Sequence, residues 1–213
     1  MRVLVRTALL RAILKWGQRS LFATAILLLG YCVFVAADAM LFQQRETRIF
    51  ERLLESGHKA SAGSLEIKAT TATPGPSVIS AGSLIGRIEI PHLGLSAIVM
   101  EGTSRTTLRR AVGHILGTTL PGQPGNVGIS GHRDTYFRPL RNIRQNDIIT
   151  LTTLLGEYRY RVKFTKVVGP SDVSVLNFSG KEILTLVTCY PFYFVGSAPY
   201  RFIVRAERVE LTN

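Results

Sequence analysis

The stretch TLVTCYPFYFVGSAPYRFIV, Thr185 to Val204, sets a cysteine at the end of one apolar run and an arginine at the start of the next. The chain has two cysteines, and the other, Cys32, lies in a long hydrophobic stretch near the N-terminus. Cys189 therefore has no evident disulfide partner in its own part of the chain. Two roles are open to it, a small packing residue or a nucleophile. A nucleophilic thiol reacts as the thiolate, and a free Cys has a pKa of about 8.5, so it needs a base or a positive neighbour. Acyl transfer also needs a group to hold the developing oxyanion and a proton donor for the leaving amine. If the strands flanking loop 190–199 pair, the Arg201 guanidinium can lie near the thiol. His92, His114 and His132 are candidates for the proton donor, while His58 falls in a segment without strand character. No C-x-x-C or H-E-x-x-H occurs, and Cys189 has no second thiol nearby, so neither a metal site nor a cofactor is expected.

Side chains so far apart in sequence need a scaffold to bring them together. From Leu84 onward the texture is strands and turns. LIGRIEI (84–90) alternates and is closed by Pro91, and LSAIVME (95–101) follows. RTTLRRAV (105–112) fits one or two helical turns, and PGQPGN (121–126) is a strong turn cluster. VGIS (127–130) runs straight into Gly131-His132. DIITLTTL (147–154) and EYRYRVKFTKVV (157–168) flank Leu155-Gly156 like a hairpin. In the second, Tyr158, Tyr160, Val162 and Phe164 alternate with polar residues, the mark of a half-buried strand with a basic outer face. EILTLVTC (182–189) and YRFIVRAERVEL (200–211) complete seven clear strands, with room for an eighth short one. Such spacing suits a barrel or a sandwich.

The N-terminal part differs. Leu21 to Ala37, LFATAILLLGYCVFVAA, has seventeen residues without a charge, the short end of a membrane-spanning helix. Arg2, Arg6, Arg11, Lys15 and Arg19 precede it, and mixed charges follow. The positive-inside bias keeps the N-terminus in the cytoplasm and sends the rest across. A cleaved signal peptide with Ala37-Asp38-Ala39 as its site is the alternative, but the arm is long and the apolar run exceeds the usual h-region. The expected order is a basic arm (1–20), a signal anchor (21–40), an amphipathic helix (41–57) stopped by Gly57, a flexible linker (58–82) and a strand-rich domain (83–213). The linker has little apolar periodicity, so the last domain is expected to fold alone. Lys+Arg number 26 against 14 Asp+Glu, a net charge of +12, yet no dense basic block or nucleic-acid motif accompanies the excess. Attraction to membrane or cell-envelope polyanions, or solvated strand faces, is expected rather than nucleic-acid binding.

Read together, the segments resemble the sortases, membrane-anchored cysteine transpeptidases of bacterial cell surfaces. TLVTC (185–189) matches the family's T-L-x-T-C, GHRDTYFRPLRNI (131–143) is similar to its histidine segment, and RFIVRAERVE (201–210) is similar to its final, arginine-opened strand. The likeness covers about residues 84–211, and among subgroups it is greatest to class D. It implies a mainly β fold, an eight-stranded β-barrel with short helices and an active-site groove on the barrel wall, preceded by the transmembrane helix. It also implies Cys189 as nucleophile, His132 as general acid/base and Arg201 as oxyanion or substrate-positioning group. His114 then becomes a hydrogen-bonded loop residue near the groove and His92 a surface turn residue. Asp134, two residues from His132, is an available orienting group or a plain surface residue. The implied substrates are surface proteins with a C-terminal sorting signal similar to L-P-x-T-G, and an amine from a cell-wall precursor or another surface protein. Loop 169–182 holds only Asp172 and Glu182 as acids, too few for calcium. A membrane-anchored cysteine hydrolase and a non-catalytic basic β-domain are the remaining classes.

Overall fold

The computed structural model of the chain describes residues 2–63 and 80–209. The chain forms two compact units, Met1–Leu41 and Phe42–Asn213. One helix, α1, runs from Arg2 to Gly63. It passes through Gly57, the expected stop, and takes in residues 58–63 of the expected linker, while residues 64–79 of that linker lie outside the described residues. A single interior Gly costs only about 1 kcal/mol against Ala, and proline, the stronger breaker, first occurs later at Pro74. Within the first unit, Leu21, Phe22, Ile26, Leu27, Leu28, Leu29, Val33 and Phe34 are all exposed. A helix apolar all round is one that lipid can cover, and this helix is long and apolar enough to cross a membrane.

The second unit is a closed, mainly β barrel of eight strands: β1 (Leu84–Ile90), β2 (Leu95–Glu101), β3 (Val112–His114), β4 (Gly125–Ser130), β5 (Ile148–Thr153), β6 (Gly156–Val168), β7 (Glu182–Tyr190) and β8 (Tyr200–Arg208). Their order around the barrel is β1-β2-β3-β4-β7-β8-β6-β5. One short helix, α2 (Arg105–Arg110), joins β2 to β3, and Ser104 caps it by accepting from Thr107 N–H. The expected eighth strand is β3. With three residues it is too short for alternation to declare it in sequence.

Inward residues of the strands make one core, including Ile88, Ile90, Val99, Val127, Ile129, Leu151, Tyr160, Val162, Leu184, Leu186 and Val204. A smaller cluster of Val168, Val175 and Ile203, with Leu176 and Val187 against it, lies apart from that core. β6 departs from simple alternation. Tyr160 and Val162 are buried, but Phe164 is 50% exposed. The pairing of β6 with β8 shifts register between Val162 and Phe164, and such a bulge turns the following side chains to the other face.

Candidate active site

β4 and β7 run parallel, with Gly125 opposite Glu182 and Ser130 opposite Val187. β4 ends at Ser130, Gly131 N–H still donates to Val187 O at 3.1 Å, and His132 follows directly after that last tie to β7. β7 and β8 run antiparallel, with Cys189 opposite Arg201. Cys189 and Arg201 thus share one rung, where cross-strand Cβ atoms stand about 4.5–5.5 Å apart. Alternation turns Leu184, Leu186 and Thr188 inward and Cys189 outward, so the rung faces the outer wall. His132, Cys189 and Arg201 line one cavity of about 320 Å³ together with Arg133, Asp134, Gly196, Ser197 and Ala198.

Both threonines of TLVTC act as fasteners. Thr188 is buried and its hydroxyl donates to Gly131 O at 2.7 Å, while Gly131 N–H donates to Val187 O at 3.1 Å. The backbone just before His132 is therefore tied to the strand that carries Cys189. Thr185 donates to Asn126 Oδ1 at 2.6 Å, and Asn126 Nδ2 donates to Val175 O at 3.0 Å, joining β7, β4 and the β6–β7 loop. Arg205 donates to the same Val175 carbonyl at 3.0 Å, and burial lowers its guanidinium pKa.

Beyond β4 the chain turns on His132 O, which accepts from Phe137 N–H at 3.1 Å. Phe137 is fully buried, and a Cβ built on Gly131 would stand 2.8 Å from its ring, so only glycine fits before the histidine. Arg133, next in sequence, is a buried cation. It donates to Pro191 O at 2.8 Å, Phe194 O at 2.5 Å and Gly196 O at 3.2 Å. The histidine segment thereby holds the loop that follows Cys189. Tyr190, Phe192 and Phe202 pack ring against ring at the base of that loop.

Arg201 Nη1 donates to Ala198 O at 3.2 Å and Tyr200 O at 3.0 Å. A guanidinium has five N–H groups, so Nε and Nη2 keep theirs for another acceptor. Asp134 has a 72% exposed side chain and stands 3.5 Å from Arg133 Nε. His114 lies in β3, fully inside. Its Nδ1 meets Glu101 Oε2 at 2.9 Å, and its Nε2 meets Thr119 O and Thr118 Oγ1 at 3.0 Å. It is therefore a strand residue with both ring nitrogens occupied, where a loop position was expected. His92 is an exposed turn residue, 3.0 Å from Asp147 Oδ1. Sequence reasoning passed over Arg133, Asn126 and the two threonines as working parts. The only signal for Arg133 is its place beside His132, since nothing in the spacing says that its side chain turns inward.

A family model describing a sortase domain matches residues 88–209. The chain belongs to the sortase family. Sortase D of Bacillus subtilis (strain 168) is 38% identical over 129 residues, 60% of this chain and 65% of that protein. Sortase SrtE1 of Streptomyces coelicolor is 32% identical over 154 residues, 63% of this chain and 43% of that protein. The chain thus spans less than two thirds of either relative's length. The solved structure of a Clostridium perfringens Sortase D5 transpeptidase superposes with a TM-score of 0.62 at 27% identity, covering 79% of this chain and 99% of that one. Sortase A from Corynebacterium diphtheriae gives 0.59 at 27% identity, covering 77% and 86%. The likeness of this sortase to class D fits the Bacillus relative, and the closed eight-stranded barrel is the sortase fold.

Proposed function

We propose that this sortase is a membrane-anchored cysteine transpeptidase with Cys189 as nucleophile, His132 as general acid/base and Arg201 as oxyanion-binding or substrate-positioning group. The observation that supports the reading is that Cys189 pairs with Arg201 across β7 and β8 and that both line one cavity with His132.

The chemistry follows from those groups. The Cys189 thiolate attacks a peptide carbonyl in a sorting signal similar to L-P-x-T-G, and a C–S bond forms. Negative charge gathers on the carbonyl oxygen, where the remaining Arg201 donors offer a fixed, permanently charged fork. The C–N bond breaks as the leaving amine takes a proton from His132. The thioester then meets an incoming amine, from a cell-wall precursor or another surface protein. That amine gives a proton to His132, the new C–N bond forms and the thiolate departs. Splitting one amide exchange into two steps is what covalent catalysis provides. Water in place of the amine gives hydrolysis.

The basic residues before Leu21 support a cytoplasmic N-terminus and a barrel on the outer side, where surface proteins and envelope amines are found. The division at 1–20, 21–40, 41–57, 58–82 and 83–213 is proposed on the same footing, with α1 running through its first three boundaries. The test is product analysis on an L-P-x-T-G-like peptide with and without an added amine. A ligated product that depends on Cys189 supports transfer. Cleavage that ignores the amine means a hydrolase, and no reaction at Cys189 means a non-catalytic domain.

A further inference from the structure

Ile98 lies on β2 between inward-facing Ala97 and Val99, so alternation points it out of the barrel, yet it is fully buried. Residues of α1 cover it. Gln43, Gln44, Thr47, Arg48 and Glu51 share a concavity with Arg87 and Ile98. Phe50 of the same helix is fully buried, and Glu51 pairs with Arg87 at 3.3 Å. This stretch of helix belongs to the same unit as the barrel.

Gln43 makes the specific contacts. Pairing of β2 with β3 begins at Val99, which leaves Ile98 N–H just beyond the paired stretch. Gln43 Oε1 accepts it at 3.0 Å. Gln43 Nε2 donates at 2.6 Å to Arg110 O, a carbonyl of the last turn of α2, where a helix leaves its carbonyls without partners of its own. Arg110 also places its guanidinium 5.6 Å from the Phe42 ring centroid. A carbonyl has two lone pairs, and the second acceptance at Arg110 O is from Tyr136 OH, at 2.7 Å. Burial raises the Tyr136 pKa, which keeps the phenol a donor. Tyr136 stands in the segment that leaves His132, beside Phe137, whose N–H returns to His132 O.

We propose that residues 42–54 of α1 are a working part of the catalytic domain, and that Gln43 is a positioning residue for His132 acting through Arg110 O and Tyr136. The proposal rests on the reading of His132 as the acid/base. The helix that leaves the apolar segment is on this view a brace as well as a tether. Its loss loosens the histidine segment and leaves the Cys189 strand in place.

The test uses the full chain in detergent micelles. Gln43→Met keeps length and helix propensity but removes both hydrogen bonds, and Tyr136→Phe removes the other donor. With an L-P-x-T-G-like peptide, each variant should lose about 3- to 10-fold in kcat, the scale of one hydrogen bond, with KM near the wild-type value. The double variant should fall no further than the worse single one, since both act on one carbonyl. The imidazole NMR signals of His132, identified by their loss in His132→Gln, should move in both single variants. Unmoved His132 signals in Gln43→Met overturn the proposal, as do losses that add independently. If the wild-type chain itself fails to turn over the peptide, the substrate reading fails, and the His132 signals still decide the coupling.

Discussion

Thr188 and Cys189 are neighbours that face opposite sides of one strand, and each needs the other. Thr188 pins Gly131 O, so the backbone just before His132 is fastened to the strand that carries the thiol. Thr188→Val keeps the shape and removes the hydroxyl. It should cost about 1 kcal/mol of stability in a thermal melt, and its kcat should fall more than that loss of folded protein explains. Arg201→Lys keeps the charge but loses the planar fork. Turnover should drop by about 10²-fold, the cost of removing an oxyanion donor in other enzymes, and single-turnover rates would show it. His114→Ala acts differently, because it leaves the Glu101 carboxylate buried without its partner. Denaturant melts should show a loss of roughly 3 kcal/mol, while the folded fraction keeps much of its turnover. A dead but stable His114→Ala would move the acid/base role away from His132. Residue types alone left Cys189 as packing residue or nucleophile and three histidines open, and only the resemblance of TLVTC, GHRDTYFRPLRNI and RFIVRAERVE to sortase segments picked out Cys189, His132 and Arg201 as a set. Arg133 was not legible, since an arginine in a polar turn reads as solvated until its three carbonyl partners are seen.

At the scale of elements, long alternating runs declared themselves and short or irregular ones did not. β5 alternates strictly, and β1, β2 and β7 keep a buried inner face over enough residues for a period of two to show, with Ile98 of β2 and Thr185 of β7 buried on the other face as well. The bulge in β6 could not be read, because it is set by pairing with β8 and not by local composition. The helix after the apolar segment looked like a partial stripe on a spacer. The structure gives it a buried anchor in Phe50 and a polar one in Gln43. Phe50→Ala should therefore destabilise the full chain by about 3 kcal/mol, measured by chemical denaturation of the barrel's β signal. No change in that transition would mean that the helix contributes nothing to the barrel. Gly131→Ala should be worse for activity than for folding. Its methyl group would press on the Phe137 ring beside His132, and kinetic constants of the folded variant would reveal the displacement.

On the scale of the whole molecule, an apolar helix continues into a chain whose barrel carries Cys189, His132 and Arg201 around one cavity. The charge asymmetry around Leu21–Ala37 predicts that protease added to intact, wall-stripped cells removes the barrel, and full protection would reverse the orientation. The central claim is that the thiol of Cys189 carries the acyl group between two amines. Intact-protein mass spectrometry during turnover of an L-P-x-T-G-like peptide tests it most directly. The account predicts a mass increase equal to the acyl fragment, mapped to Cys189, discharged by an added amine and absent in a folded Cys189→Ala variant. Turnover by Cys189→Ala, or an adduct on any residue other than Cys189, would contradict it.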